Sequence, residues 1–299
     1  MTDWLISIEG TPAGHQVALV LALMAAVLHA LFGALQKGRH DPWLSRAAID
    51  ASYGVIAAPF ALFVVPWPEP HMWPIFAGAF VIHAVYKVLQ AMTYTRGAYT
   101  VVYPVVRGTG PLFTFAAAGV VFGEVYAPGQ WAGLFLLTGG ILGLAVWNLR
   151  RLEVGRESLG PALGFAAATG ALVAAYTTYD AYGIRATANP FTFLAWFFLI
   201  DSLFIPAVTV RRWWGLAHEE VIPLLKRGIL GAIVAYFSFG AIMLATRIDK
   251  VGQAATLRET STVFAALIGW LVLREKVGPV RTALMAVIAA GAVLIEVAG

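Results

Sequence analysis

Ten predominantly apolar stretches occupy most of the chain, near 17–36, 46–66, 73–94, 98–122, 129–148, 161–184, 191–210, 227–246, 251–273 and 279–297. About 20 such residues suffice for a helix to cross the hydrocarbon core of a bilayer. Backbone polar groups at that depth must be satisfied within the protein, so spanning segments are helices or closed barrels. The stretches lack the alternation of strands, and the pattern predicts an all-α membrane protein of ten transmembrane helices. Composition agrees: of 299 residues, 60% are hydrophobic and 12% charged, about half the roughly 25% charge of a soluble domain. Ten spans consume roughly 200 residues, which leaves no room for a second, water-soluble domain.

The net charge of +4 and pI near 9.4 do not form a nucleic-acid surface, because the basic residues sit in short clusters between apolar runs. Counted loop by loop, fourteen fall on one side: Lys37, Arg39, Arg46, Arg96, Arg150, Arg151, Arg156, Arg211, Arg212, Lys226, Arg227, Arg274, Lys276 and Arg281. The other side has three, Arg185, Arg247 and Lys250. The richer side is expected to be cytoplasmic, with both termini outside. Cysteine is absent, which excludes disulfides, thiolate metal sites and cysteine nucleophiles. Asp3 and Glu9 precede the first apolar run without any Lys or Arg, so that run is expected to be a retained span rather than a signal peptide.

The chain also resembles itself. A shift of 151 residues aligns 95–148 with 246–299 without a gap, and 11 of the 54 pairs are identical. They include Thr95-Arg96 on Thr246-Arg247, Arg107 on Arg258, Thr109 on Thr260, Phe113 on Phe264, Glu124 on Glu275, Pro128 on Pro279 and Gly140 on Gly291. Earlier spans match more weakly: Asp41-Pro42 resembles Asn189-Pro190, and Ile49-Asp50 resembles Ile200-Asp201, at other offsets. A duplication of five spans follows, with repeats at 1–150 and 151–299. Because five is odd, the second copy crosses the membrane in the opposite sense, giving an inverted-topology pair.

The segments Val105-Val106-Arg107-Gly108, Phe122-Gly123-Glu124, Gln130-Trp131-Ala132-Gly133 and Gly139-Gly140, with Glu275 and Gly291 in the second copy, resemble the EamA pattern of the drug/metabolite transporter superfamily. The resemblance covers the whole chain in span count and repeat layout. It implies a secondary transporter whose central cavity is lined by spans one, three, four, six, eight and nine, with spans five and ten peripheral. The aromatic content is similar to that of bacterial amino-acid exporters, the aromatic amino-acid type included. An inner-membrane location is implied with it.

Charged side chains in the hydrocarbon layer cost some kcal/mol each and normally face a protein interior or a water-filled path. The spans hold Lys87, Arg107 and Arg258 as bases and Asp50, Asp180, Asp201 and Glu259 as acids. Arg107 and Arg258 are repeat-related and suit a carboxylate clamp, since a guanidinium is a planar fork. Tyr99 and Tyr103 share the helical face of Arg107. The alternative role for either arginine is a helix tie to an acid such as Asp180 or Glu259. On span three, His83, Lys87, Gln90 and Tyr94 form a stripe at helical period, and span six repeats the idea with Tyr176, Tyr179, Asp180 and Gly183. Either stripe is a substrate wall or a buried network fixing helix register. Asp50 and Asp201 are candidates for proton coupling, or partners for Lys87, Arg107 or Arg258. Glu124 and Glu275 read as cap or turn residues.

Pro104, Gly108, Gly110 and Pro111 predict an interrupted or kinked span four beside Arg107. Gly139-Gly140 and Ala289-Ala290-Gly291 read as places where helices pack closely. His218-Glu219 lacks the second histidine of a zinc-protease helix, and no nucleophile elbow, phosphate loop or complete dinucleotide fingerprint occurs. No cofactor, metal or nucleic-acid partner is therefore expected, and the chain is not expected to be an enzyme. Three bases, four acids and many rings suit a small zwitterion, an amino acid whose side chain packs on Tyr99, Tyr103, Tyr179 or Tyr236. Sugars, nucleotide sugars and drugs are the alternative cargoes; an intramembrane enzyme or a scaffold is the alternative class.

Overall fold

A computed structural model of the chain describes residues 1–36, 41–96, 99–151, 159–271 and 278–299. Among these residues the regular structure is entirely helical: α1 (Thr2–Ser7), α2 (Pro12–Gln36), α3 (Pro42–Pro59), α4 (Met72–Arg96), α5 (Tyr99–Phe122), α6 (Pro128–Arg150), α7 (Leu159–Ala186), α8 (Pro190–Asp201), α9 (Phe204–Trp214), α10 (His218–Ile248), α11 (Val251–Arg258), α12 (Ser261–Leu271) and α13 (Pro279–Val297). A π-helical turn, Phe60–Val64, prolongs α3. Several starts are written locally. Proline opens α3, α6, α8 and α13, where its missing N–H has no intrahelical partner to lose. Asp41 accepts hydrogen bonds from Trp43 N and Leu44 N, and Asn189 accepts one from Phe191 N. The weakly matching pairs Asp41-Pro42 and Asn189-Pro190 are thus the same device, a side-chain cap followed by proline.

Nine stretches among the described residues are long and apolar enough to cross a membrane. They correspond to nine of the ten expected spans. The ninth span, expected over 251–273, is divided at Glu259–Thr260 into α11 and α12. Span seven is also divided, between α8 and α9 at Ser202–Leu203. The short α1 adds to the expected spans.

Span four corrects an expectation. In spite of Pro104, Gly108, Gly110 and Pro111, α5 is continuous from Tyr99 to Phe122. Its glycines serve packing instead: a Cβ on Gly108 would lie 2.9 Å from the Leu142 side chain, and one on Gly110 would lie 3.4 Å from Val173. The interruption lies in the repeat-related span, where four backbone bonds run three residues back: Glu259 N to Thr256 O, Thr260 N to Leu257 O, Thr262 N to Glu259 O and Val263 N to Thr260 O. Thr260 Oγ1 also donates to Leu257 O at 2.6 Å. That tightened turn ends one helix and starts the next without glycine or proline.

The chain forms two compact units, one of Met1–Ala84 with Asp180–Ile248 and the other of Val85–Tyr179 with Asp249–Gly299. Each draws on both halves of the sequence. In the first unit α10 packs along α2 and α3. Gly228 permits this, since a Cβ there would sit 2.7 Å from Ala48 O. Phe76, Phe193 and Phe197 stack in series beside α8. In the second unit the closest partners are α6 and α13, the fifth helices of the two halves. A Cβ on Gly291 would meet Leu137 N at 2.5 Å, and one on Gly140 would meet Ile288 Cγ1 at 2.7 Å. Gly140 and Gly291 are therefore close-packing residues as expected, whereas Gly139 faces open space.

Candidate functional site

Each unit contains a buried polar cluster, and together the two account for most of the charged candidates. In the second unit, α5 and α11 lie side by side and bring Arg107 to Glu259. Arg107 Nε is 2.6 Å from Glu259 Oε2, but the N–H is directed off the line to that oxygen, so neither atom makes an aligned hydrogen bond. Arg107 Nη2 donates to Ser261 Oγ at 3.0 Å. Arg258 Nη2 stands 3.8 Å from Glu259 Oε1. Two arginines, 6% and 3% exposed, thus share one carboxylate that is 2% exposed. Arg258 Nε and Thr262 Oγ1 have no hydrogen-bond partner among the described residues.

The surroundings of this group are aromatic. Arg107 Cζ lies 6.0 Å from the Tyr103 ring centroid, the outer limit for a cation–π contact. Tyr86 and Tyr176 meet edge to face at 4.8 Å, and Gln90 Nε2 donates to Tyr86 Oη at 2.6 Å. Lys87, on the same helix, is buried. The orientation of α11 is set from outside: Glu124 accepts hydrogen bonds from Val251 N at 2.7 Å and Gly252 N at 3.2 Å. It is a helix cap, as expected, although it caps a different helix from the one it follows. Glu275 lies outside the described residues.

In the first unit, His83 Nε2 is 2.9 Å from Asp180 Oδ2 and Nδ1 is 3.9 Å from Asp201 Oδ1. Tyr53 Oη donates to Asp201 Oδ2. The Phe197 ring meets His83 edge to face at 5.0 Å, and Phe198 meets Tyr53 edge to face at 5.4 Å and stacks on Tyr236 at 4.6 Å. Asp50 pairs with Arg46, Nε to Oδ1 at 2.7 Å. This corrects one expectation: Arg46, counted above as a loop charge, lies in α3 one turn before Asp50 and pairs with it.

The fourteen candidates thus separate by unit. Gln90, Tyr103, Arg107, Tyr176, Arg258 and Glu259 belong with Lys87 and Tyr179 to the second unit; Asp50, His83, Asp180, Asp201 and Tyr236 belong to the first. Tyr179 is half-buried. The side chains of Tyr94 and Tyr99 lie outside the described residues. Sequence reasoning missed Ser261, Tyr53, Tyr86 and Arg46 as members of these clusters. Arg46–Asp50 and Tyr86–Gln90 were readable as pairs four apart on a helix; Ser261 and Tyr53 carried no comparable signal.

The comparisons agree with this architecture. The family model that matches is the EamA-like transporter family, over residues 160–297. EamA-like proteins are membrane transporters of the drug/metabolite kind, and the chain is a multi-pass membrane protein. No curated protein matches the chain by sequence. A solved structure described only as "Crystal structure of protein" matches with a TM-score of 0.74 at 18% identity, covering 96% of this chain and 99% of its own. At that identity the likeness shows a shared fold over nearly the full length of both chains.

Proposed function

We propose that this EamA-like protein is a secondary transporter that exports small zwitterionic metabolites, amino acids with apolar or aromatic side chains foremost, across a bacterial-type inner membrane by alternating access. The reading includes a ten-span layout of two inverted five-span repeats, with the divided span nine counted as one crossing. Discontinuous helices are where transporters of this kind bind substrate. One observation carries the choice of cargo: Arg107 and Arg258 are buried against a single carboxylate, and Arg258 Nε has no hydrogen-bond partner among the described residues. Buried positive charge in excess favours an anionic group, and a guanidinium receives a carboxylate through two parallel hydrogen bonds. Glu259 and the ring faces of Tyr103 and Tyr176 offer an ammonium its counterpart. A strongly anionic phosphate ester would meet Glu259 as a repulsive neighbour, which ranks nucleotide sugars below amino acids.

The test is counterflow in proteoliposomes preloaded with unlabelled phenylalanine, leucine or alanine, against the labelled amino acid outside. Accumulation with at least one of the three supports the reading, and its absence with all three removes the substrate assignment. Arg258→Lys keeps the charge and loses the fork; counterflow is expected to fall at least tenfold. A rate equal to the parent's would make Arg258 a helix tie.

A further inference from the structure

We propose that Asp180, His83 and Asp201, with the Tyr53 hydroxyl at one end, form a proton-binding site in the first unit, and that Asp50 is not part of it. The inference rests on the transport reading for its consequence, although the site itself can be tested without transport. Both nitrogens of one buried imidazole face carboxylates: Nε2 at 2.9 Å from Asp180 and Nδ1 at 3.9 Å from Asp201. A neutral imidazole has a single N–H. With the ring neutral and both carboxylates ionised, one ring lone pair would point at a carboxylate oxygen with no hydrogen between them. One added proton makes the ring a donor in both directions and turns a repulsive approach into an attractive one. The row then carries one negative charge in place of two. His83, Asp180, Asp201 and Tyr53 are 4%, 3%, 7% and 2% exposed, and that charge reduction is worth most where water is excluded.

Charged and titratable groups stand around the site on α3, α4, α7 and α10. From α3, Arg46 is held by Asp50 at 2.7 Å, and both lie within electrostatic range of Tyr53. Tyr53 itself donates to Asp201. From α10, Tyr236 stacks on Phe198. Lys87 follows His83 by one helical turn on α4, and Tyr179 precedes Asp180 on α7. Of the other cations in the unit, Arg185 donates to Thr246 O and Arg247 pairs with Glu9. Asp50 already has its counter-ion, so a proton gains less there than between Asp180 and Asp201. Asp201 is the last residue of α8, beside the Ser202–Leu203 interruption. A change of charge at that point acts on a junction between two short helices rather than on a continuous one.

Two measurements test the site. Nitrogen NMR of histidine-labelled protein in micelles at neutral pH is expected to show His83 with both ring nitrogens protonated in the parent and with one in Asp201→Asn or Asp180→Asn. A singly protonated ring in the parent overturns the proposal whatever the transport result. In proteoliposomes, the ratio of phenylalanine accumulation under an imposed pH gradient to phenylalanine counterflow is expected to fall at least tenfold in Asp201→Asn and to stay within twofold of the parent in Asp50→Asn. An unchanged ratio in Asp201→Asn, or an equal fall in both variants, overturns the coupling. Absence of counterflow in the parent would instead count against the transport reading and leave the NMR result to decide the site.

Discussion

The two buried clusters use opposite charge balances. In the second unit two arginines converge on one glutamate, whereas in the first two aspartates converge on one histidine. Each has its acid at a divided span: Glu259 follows α11, and Asp201 ends α8. The arginine cluster cannot shed charge, because a guanidinium does not deprotonate in proteins, so its excess can be answered only by another group. The histidine cluster can change its charge by taking up a proton. One arrangement therefore suits an anionic ligand and the other a proton, which is the division of labour proposed above.

The sharpest way to break this contrast is to neutralise the acid in each cluster. Glu259→Gln leaves two arginines buried together without an anion. The loss of one partner of a buried ion pair costs about 3–5 kcal/mol, and the variant is expected to show a large drop in thermal midpoint in micelles. Asp201→Asn removes one of two carboxylates around His83 and keeps an acceptor for Tyr53, so its cost is expected to stay within about 1 kcal/mol. If Asp201→Asn destabilises as much as Glu259→Gln, the two clusters are both structural ion-pair networks and the charge argument fails.

How much of this was readable beforehand depends on what signal each feature leaves. Nine spans were legible because length and hydropathy alone define them, and Gly140 and Gly291 were legible because the repeat aligned them. The interruption was assigned to span four, where proline and glycine are frequent. The neighbouring helices α6 and α7 fill the space at Gly108 and Gly110 and keep α5 continuous. Nothing comparable flags Glu259–Thr260, where the turn arises from three-residue backbone bonding and a threonine hydroxyl. Arg107 was correctly weighed against Glu259 as a partner, yet nothing along the chain distinguished Glu259 from Asp180 for that role. The Arg46–Asp50 pair, four residues apart on α3, escaped the reading that places Arg46 in a loop.

A second, smaller effect distinguishes how the units are fastened. In the second unit Gly291 faces backbone, with a Cβ position 2.5 Å from Leu137 N and 2.7 Å from Gly133 O. In the first, Gly231 faces the far end of the Ile49 side chain, with a Cβ position 2.8 Å from Cγ1 and 2.9 Å from Cδ1, atoms that can turn aside at the cost of a strained rotamer. Gly291→Ala is expected to destabilise by about 1–3 kcal/mol, since helices must separate. Gly231→Ala is expected to cost about 1 kcal/mol, the order of one strained rotamer. Thermal midpoints of the two variants, measured side by side, check the order; a reversal would place the rigid seam in the first unit.

The smallest expected effect lies outside the membrane-spanning segments, at Glu69, and it sharpens the contrast by showing what a half-buried loop carboxylate does. Burial would raise its pKa, but hydrogen bonds outweigh that and hold it below the usual carboxylate value. They come from backbone N–H groups, including Ala188 N at 3.1 Å, and from Thr187 Oγ1 at 3.2 Å. The sign follows from the depression. The ionised form is favoured in the folded protein, so the tie between this loop and the α7–α8 connection is complete above the unfolded pKa and weakens as pH falls through the folded one. Amide hydrogen exchange at Ala188, corrected for the intrinsic pH dependence, is expected to accelerate only in that acidic window. In Glu69→Gln the acceleration with acidity should disappear. Transport near neutral pH should be unaffected, because Glu69 is already ionised there and belongs to neither cluster.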